Sequence, residues 1–342
     1  MKNTMGYAVE AHDLVKTYPG GVRALGGLSI TVRPGEVLGL LGPNGAGKST
    51  TIKILTTLVR ADSGTASIAG LDVSRQADRV RRVIGVVSQR SGADPMASGR
   101  DNLILQAHLY GMRGTELTRR VEELLDRFDL GEFAGRRVRT YSGGLQRRLD
   151  VALGLVHRPQ VLFLDEPTTG LDPEARTAMW TEIARLAGDD SLAILLTTHY
   201  LDEADRLAGR VAIVDSGRIV AEGSPDALKA ELRGDAVHLE LWETPDEQRV
   251  RSVIGALPGV REIVLDGRRL SARVDDGAAA VPLALAALDQ AGLPVAAVTV
   301  ARPSLDDVYL RYAGRRFAQA DAPVALGGVA GSRVGIASGG AR

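Results

Sequence analysis

A glycine-rich stretch between a strand pattern and a helix pattern constrains this chain more than any other feature. The run Val37–Leu41 is continuously apolar and predicts a buried strand, and Lys48–Leu58 has the apolar period of a helix. Between them, the motif G-x-x-x-x-G-K-[ST] is satisfied by Gly42, Pro43, Asn44, Gly45, Ala46, Gly47, Lys48, Ser49 and Thr50. Backbone N–H groups of such a loop surround phosphate oxygens, and the start of the helix adds its positive end. The chain is therefore predicted to bind a nucleoside triphosphate.

Three side chains of this loop have predicted roles toward the nucleotide. Lys48 would neutralise the β and γ phosphates, Ser49 would bind Mg²⁺, and Thr50 would reach the α phosphate. A glycine-rich turn with an incidental lysine would also match this sequence motif. The strand before the motif and the helix after it favour the phosphate loop.

Two carboxylates follow the next strongly apolar run. Residues Val161–Leu164 predict a buried strand, and Asp165 and Glu166 come directly after it. Because ligands of open α/β sheets bind at the carboxyl ends of the strands, this pair is expected beside the phosphate loop. Asp165 would hold Mg²⁺ through water, and Glu166 would orient and deprotonate the water that attacks the γ phosphate. An isolated acidic pair is more often a solvated turn, but next to a phosphate loop it predicts catalysis.

Composition excludes several classes of function. The 342 residues include 42 basic and 42 acidic side chains, so the net charge of zero gives no indication of a nucleic-acid partner. The chain has no cysteine, which excludes disulfides, thiolate metal sites and a cysteine nucleophile. With 44% hydrophobic residues, a chain of this length predicts two folded domains.

Hydropathy favours a chain without its own membrane segment. Residues 1–12 lack the basic stretch and the apolar run of a secretory signal. The most apolar window, 277–301, contains Asp289 near its centre and two prolines, Pro282 and Pro294. We expect this window to form a helix, a turn and a strand, so that any membrane-spanning part would come from a partner.

The apolar pattern predicts an α/β domain with an inserted helical segment. Residues 7–32 alternate and carry turn signals, which predicts short antiparallel strands. Further buried strands are predicted at Val161–Leu164, Ala193–Leu196 and Val211–Val214, and amphipathic helices at Arg100–Tyr110, Glu116–Phe128 and Gly143–Val156. The expected fold of residues 1–234 is an α/β domain with a mixed sheet, an antiparallel β subdomain and a helical subdomain at about 95–158, an organisation that resembles a P-loop NTPase cassette.

The order of predicted elements changes after residue 234. Strands at Val237–Trp242, Val260–Leu265, Leu270–Val274 and Val295–Ala301 alternate with helices at Asp246–Ala256 and Ala278–Ala291. This β-α-β-β-α-β order predicts a small ferredoxin-like α+β domain over 235–313. A closing helix, Leu305–Tyr312, would turn its apolar side chains toward that domain's core. Residues 314–342 are rich in Gly, Ala and Ser without periodicity and predict a flexible tail.

The segment 141–148, Tyr-Ser-Gly-Gly-Leu-Gln-Arg-Arg, begins a predicted helix with Ser142 as a suitable N-cap. With the phosphate loop and the acidic pair in this order, residues 7–234 resemble the nucleotide-binding subunit of an ATP-binding cassette (ABC) transporter. The resemblance implies that Ser142, Gly143 and Gly144 of one copy contact the ATP held by the phosphate loop of a second copy. Two ATP molecules would then lie between two head-to-tail cassettes.

The same resemblance implies roles for single residues elsewhere in the sequence. Tyr18 matches the aromatic residue that stacks on adenine, although a tyrosine in a hairpin is also common in surface packing. Gln89 matches the glutamine that contacts Mg²⁺, and His199 matches the histidine that senses the γ phosphate. Asp172 matches the residue by which each cassette touches its twin. In the commoner form of the 141–148 segment a glutamine follows the two glycines directly, whereas here a leucine precedes Gln146.

Two further stretches, 147–150 and 303–310, resemble those of drug and antibiotic exporters, especially daunorubicin-resistance ATPases. The implied function is ATP hydrolysis that drives efflux of a drug, antibiotic or other hydrophobic small molecule through a separate membrane subunit. That subunit would dock on the helical insertion at about 95–139, which implies a peripheral protein at the cytoplasmic face of the cell membrane. Two alternatives stay open: the ATPase of an importer with a ligand-sensing C-terminal domain, and a cassette ATPase without a transport function.

Overall fold

The computed structural model describes residues 6–190, 192–232, 234–314 and 317, and it contains three β-sheets. The predicted flexible tail, 314–342, lies outside the described residues except for Gly314 and Phe317. The strands are β1 (Val9–Tyr18), β2 (Val22–Val32), β3 (Val37–Leu41), β4 (Ser63–Ile68), β5 (Leu71–Asp72), β6 (Ile84–Val87), β7 (Val161–Asp165), β8 (Ala193–Thr198), β9 (Arg210–Asp215), β10 (Arg218–Gly223), β11 (Asp235–Leu241), β12 (Arg261–Asp266), β13 (Arg269–Val274) and β14 (Val295–Ala301).

The helices pack on both sides of the central sheet and on one face of the C-terminal sheet. They are α1 (Lys48–Leu55), α2 (Ala77–Val83), α3 (Gly99–Leu109), α4 (Gly114–Arg127), α5 (Gly143–Leu155), α6 (Pro173–Asp190), α7 (Leu201–Leu207), α8 (Pro225–Ala230), α9 (Glu247–Gly255), α10 (Gly277–Gln290) and α11 (Leu305–Ala313). Short 3₁₀ segments lie at Gly131–Phe133 and Val138–Thr140. Helix α1 ends three residues before its predicted end, because Thr57 takes a left-handed conformation (φ 66°) that breaks the helix.

The central sheet brings together the ends of the strands that carry the predicted site. Its order is β10-β9-β3-β8-β7-β6; β9, β3, β8, β7 and β6 run parallel, and β10 is antiparallel to β9. In register, Leu41 at the end of β3 faces Thr198, and Asp165 at the end of β7 faces Thr197. The phosphate loop and the acidic pair therefore leave the sheet at the same edge. The predicted mixed sheet is confirmed.

The second sheet is antiparallel, with the order β2-β1-β4-β5. Strands β1 and β2 have 10 and 11 residues, so the prediction of short strands is wrong. The two strands contain β-bulges at which pairing continues: the register shifts around Asp13 (φ 50°) and Gly27 (φ 101°).

The C-terminal sheet has the order β12-β13-β11-β14, and every neighbouring pair is antiparallel. Helices α9 and α10 cover one face and close a core that includes Leu239, Val250, Leu270 and Leu288. This is the predicted ferredoxin-like arrangement, and the apolar window 277–301 forms α10, a turn and β14 as expected. Within the described residues, no helix is both long and apolar enough to cross a bilayer.

Helix α11 packs on the part of the chain that contains the central sheet. Its buried residues Leu305, Val308 and Tyr309 belong to an apolar cluster with Leu41 of β3 and Ile213 of β9. The expectation that these side chains face the small domain's core is therefore wrong. The physical reason is that α9 and α10 already cover the apolar face of the C-terminal sheet.

Helix α11 is fixed to both parts of the chain by polar contacts. The Tyr309 hydroxyl, which is fully buried, donates a hydrogen bond of 2.7 Å to Asp215 Oδ1 at the end of β9. On the C-terminal sheet, Arg273 Nη2 lies 3.4 Å from Asp307 Oδ2, and both residues are buried. Asp307 also forms a capping box with Ser304. The helix thus links the C-terminal sheet to the end of a central strand.

We expect Tyr309→Phe to lower the free energy of unfolding by about 1–3 kcal/mol, because it removes the hydrogen bond that a buried hydroxyl donates to the Asp215 carboxylate. Urea unfolding of the full chain measures the change. Tyr312→Phe is the matched control: it removes a similar hydroxyl–carboxylate bond, to Glu231, from an exposed position on the same helix. Equal losses in the two variants would contradict the assignment of Tyr309 as the stronger anchor.

Candidate functional site

The phosphate loop connects β3 to α1 in a conformation that only glycine allows at two positions. Gly47 has φ 110°, and a Cβ atom there would lie 2.6 Å from the Ala24 carbonyl oxygen. A Cβ atom on Gly42 would lie 2.4 Å from the Val214 carbonyl oxygen. No side chain caps the N-terminus of α1, so its first N–H groups are not occupied by a cap and can donate to a phosphate.

Lys48 is the first residue of α1 and is 4% exposed. Its Nζ donates to the carbonyl oxygens of Gly42, at 2.5 Å, and Pro43, at 3.0 Å. The ammonium group therefore lies within the loop, where it adds a positive charge to the N–H groups of the helix start. This combination of charge and donors is suited to a polyphosphate.

Asp165 and Glu166 are fixed at the sheet edge by Thr197, the neighbour of Asp165 on β8. The Thr197 hydroxyl donates to Asp165 Oδ1 at 2.6 Å, and the Thr197 Oγ1 atom accepts from the Glu166 N–H at 3.1 Å. Glu166 has φ 49°, a left-handed conformation that is uncommon for this residue type. Strained backbone of this kind is concentrated at functional sites, where the surrounding contacts hold it.

Three side chains surround the Glu166 carboxylate. Gln89 Nε2 donates to Glu166 Oε2 at 3.0 Å, and the Thr169 hydroxyl donates to the same oxygen at 3.3 Å. His199 Nδ1 lies 3.2 Å from Glu166 Oε1. The structure therefore brings together Glu166, Gln89 and His199, which the sequence separates by up to 110 positions.

Ser142, Gly144 and Asp172 border a separate cavity of about 260 Å³ between α5 and α6. The described residues that line it include none from the phosphate loop. The Ser142 hydroxyl caps α5 by accepting from the Leu145 N–H at 3.3 Å, and Asp172 Oδ1 accepts from the Ala175 N–H at 2.9 Å at the start of α6. We call residues 142–144 the signature and α5, which they begin, the signature helix. Within one copy, the signature and Asp172, the predicted dimer-contact residue, thus border one surface away from the phosphate loop.

Five further predicted site residues lie at accessible positions, whereas Pro43 and Ala46 are buried. Ser49 and Asn44 are exposed, and Thr50 and Gln146 are half-buried. Tyr18 is half-buried at the end of β1, and β2, its hairpin partner, contacts Gly47 of the phosphate loop through Ala24. These positions leave the side chains able to reach a ligand.

Sequence reasoning missed Thr197 and Arg147, which hold the acidic pair in place. Thr197 follows the apolar run of β8, and a hydroxyl at the carboxyl end of a buried strand was the available signal. Arg147 lies in the helix that begins at Ser142, and its side chain is buried against four main-chain carbonyl groups. Nothing in the local pattern distinguishes Arg147 from Arg148, the half-buried arginine beside it.

Comparison with known proteins identifies this arrangement. Residues 25–169 match the family described as ABC transporter, and residues 223–313 match the C-terminal domain of DrrA1-3-like ATP-binding proteins. The daunorubicin resistance ATP-binding protein DrrA2 of Streptomyces coeruleorubidus is 44% identical over 91% of this chain and 96% of its own length. The chain belongs to the ABC transporter family. It is therefore an ATP-binding ATPase subunit, and the resemblance seen in the sequence is confirmed.

Other ABC proteins share the sequence or the fold. The doxorubicin resistance ATP-binding protein DrrA of Mycobacterium tuberculosis is 43% identical over 89% of this chain and 92% of its own length. The Nod factor export ATP-binding protein I of Burkholderia thailandensis is 40% identical over 84% and 91%. A solved dimeric ATP-binding cassette in a post-hydrolysis state, bound to ADP and Pi, superposes with a TM-score of 0.58 at 26% identity and covers 63% of this chain and 98% of that one.

Proposed function

We propose that this ABC subunit hydrolyses ATP to power efflux of a drug, antibiotic or other hydrophobic small molecule through a separate membrane subunit. The observation that carries the proposal is the near full-length match to drug-resistance proteins, which includes the C-terminal region 223–313 as well as the cassette. A relative that covers 84% of this chain and 91% of its own length is named for Nod factor export. Names for resistance and export favour efflux over the importer and the non-transport alternatives.

In this proposal the cassette comprises residues 1–234, with a helical subdomain at about 95–158, and residues 235–313 form the accessory domain. The loop Gly42–Thr50 holds the ATP phosphates, with Lys48 against the β and γ phosphates. Tyr18 stacks on the adenine.

The residues beside the phosphate loop suit Mg²⁺. The described residues contain no group of three or more His, Cys, Asp and Glu side chains that could hold a metal by themselves. Mg²⁺ does not need such a group, because it commonly uses one or two carboxylates together with waters and substrate phosphates. Ser49, Gln89 and Asp165, the last through water, would supply the protein's oxygen ligands. The bound ion would neutralise charge that develops on the phosphate oxygens.

Glu166 acts on the attacking water in the proposed reaction. Its carboxylate is held by Gln89 and Thr169 and lies beside His199 at 3.2 Å. Glu166 orients the water and accepts its proton, and His199 contacts the γ phosphate. The hydrogen bond from Gln89 connects the catalytic carboxylate to the loop after β6.

Two copies of the chain complete the ATP sites. Ser142, Gly143 and Gly144, with Gln146 beside them, form the start of α5 that faces the ATP of the second copy, and Asp172 borders the same surface. Dimeric cassettes are among the solved structures that share this fold. Closure of the two copies around ATP, followed by opening after hydrolysis, drives the membrane subunit between its states.

An exposed apolar groove is proposed to receive an amphipathic helix of the membrane subunit. A cavity of about 320 Å³ is lined by Leu58, Val86 and Tyr110 among others. Leu58 is 71% exposed, and Leu109 at the end of α3 is 73% exposed. Large apolar side chains clustered at the surface mark interaction sites. Docking there would place the chain at the cytoplasmic face of the membrane.

Drug accumulation in cells that carry the chain and its membrane subunit tests the proposal. We expect the pair to lower accumulation of at least one amphiphilic antibiotic, with daunorubicin and doxorubicin tested first. The inactive control is Glu166→Gln with the same membrane subunit. Accumulation that rises with the active pair would indicate import and contradict the proposal.

Leu58→Glu separates docking from catalysis in the same cells. It should abolish efflux while the purified subunit keeps its ATP turnover, because Leu58 lines the proposed groove and is 71% exposed. Leu283→Glu is the matched control, since Leu283 is 49% exposed on α10 of the C-terminal domain. Equal efflux from the Leu58 variant and its parent would exclude the groove as the docking site.

A further inference from the structure

Arg147 is buried in α5, five residues after the signature serine, and has no role in the proposed chemistry above. Its side chain is 6% exposed. The guanidinium donates to four main-chain carbonyl oxygens, from Nη1 to Ser88 at 2.6 Å, from Nε to Pro167 at 2.7 Å, and from Nη2 to Asp165 at 3.2 Å and Glu166 at 3.3 Å.

These four carbonyl groups belong to the two loops that form the catalytic site. Ser88 precedes Gln89 in the chain, and Asp165 and Pro167 flank Glu166, which carries the catalytic carboxylate. The planar fork of arginine presents its donors in a fixed arrangement, so one side chain sets the spacing of both loops. That spacing is the one at which Gln89 reaches Glu166 with a 3.0 Å hydrogen bond.

The charge of Arg147 and a second hydrogen bond from α5 support the same link between this helix and the loop around Gln89. Burial lowers the pKa of Arg147, and the negative charges of Asp150, Glu203 and Asp165 act against this shift. The guanidinium remains charged, because arginine does not lose its proton in proteins. One turn further along α5, Asp150 Oδ1 accepts from the Ser91 hydroxyl at 2.6 Å. Helix α5 therefore holds the loop around Gln89 at Ser88 and at Ser91.

We propose that Arg147 is a positioning residue that ties the signature helix to the loops of Gln89 and Glu166. This inference rests on the proposed function, in which the start of α5 contacts the ATP of the second copy. Since the same helix holds Glu166 of its own copy, Arg147 connects one ATP site of the dimer to the other. Catalysis in the site of one copy then depends on how α5 of that copy contacts the ATP bound by the other copy.

Steady-state kinetics of the full-length chain test this role with Arg147→Met and Arg147→Lys. We expect Arg147→Met to lower kcat about 10-fold to 100-fold, since small misplacement of catalytic groups reduces rates on that scale. The KM for ATP should stay within about threefold of the parent, because Arg147 does not touch the phosphate loop. Arg147→Lys should recover part of kcat, as an ammonium group can satisfy some of the four carbonyls.

Arg120→Met is the matched control for loss of a buried arginine. Arg120 is also 6% exposed, and its guanidinium donates to the Val156 and Leu155 carbonyl oxygens at 3.0 and 2.5 Å. Both methionine variants should lower the unfolding midpoint, but only the Arg147 variant should lower kcat per nucleotide-binding site. Equal effects of the two variants on kcat would overturn the proposal.

Hydrogen exchange without nucleotide tests the positioning independently of catalysis. Arg147→Met should speed amide exchange in residues 85–92 and 165–169, and Arg120→Met should not. Unchanged exchange in these segments would overturn the inference. If Glu166→Gln turned over ATP normally, the proposed function would fail instead, and the exchange result would still report whether Arg147 holds the two loops.

Discussion

Glu166→Gln is expected to lower ATP turnover by about 10²–10³-fold while the chain still binds ATP. Glutamine has nearly the same shape and keeps the contacts with Gln89 and Thr169, but it cannot accept the proton of the attacking water. Loss of the negative charge next to the γ phosphate should also stabilise the ATP-bound dimer. Single-turnover hydrolysis measures the first effect, and sedimentation with ATP measures the second.

Glu182→Gln is the control for this substitution. Glu182 is an 18%-exposed carboxylate of α6 that pairs with Arg185. Its loss should leave turnover within about twofold of the parent, because its carboxylate pairs with Arg127 and Arg185, which are not predicted site residues. Normal turnover in Glu166→Gln would remove Glu166 from the mechanism.

Ser142→Arg is expected to abolish ATP-dependent pairing and reduce turnover by about 100-fold or more. The serine is exposed at the start of α5, where a long cationic side chain would occupy the space of the second copy's ATP. Nucleotide binding by a single copy should stay within about twofold of the parent, because the phosphate loop lies elsewhere. Sedimentation with ATP and fluorescent-nucleotide titration report the two properties separately.

Ser224→Arg controls for loss of a helix cap. Ser224 is likewise exposed, and its hydroxyl caps α8 by accepting from the Ala227 N–H at 3.1 Å. Either substitution should cost about 0.5–2 kcal/mol of stability through the lost cap. Only the Ser142 variant should lose pairing, and pairing that survives in it would place the signature outside the dimer interface.

The elements that could be predicted from the sequence are those with a clear pattern within a short stretch of residues. The phosphate loop, the acidic strand end and each element of the β-α-β-β-α-β order depend on period and spacing within a short window of the sequence. The elements that were not predicted are α2, α6, α7, α8, β4, β5 and β10. Helices α2, α7 and α8 have seven residues or fewer, which is shorter than the window of about 11–18 residues in which a helical period is recognised.

The candidate site could be predicted only in part, because it depends on contacts between segments that are distant in the sequence. The grouping of Glu166, Gln89 and His199 followed from family resemblance, since nothing in their spacing places them together. Arg147 was missed because its partners are carbonyl groups, which every residue has. Helix α11 was assigned to the wrong core because its amphipathic pattern shows that one face is buried but not which surface covers it.

The central claim is that each ATP site is shared by two copies of the chain. Ser142→Arg and Lys48→Ala are each expected to be inactive alone. In a mixed dimer, however, the intact phosphate loop of the Ser142→Arg copy faces the intact Ser142 of the Lys48→Ala copy. Mixing equal amounts should restore about a quarter of parental turnover, because random pairing makes half of the dimers mixed and each has one complete site. Turnover that stays at the sum of the separate variants would contradict the claim.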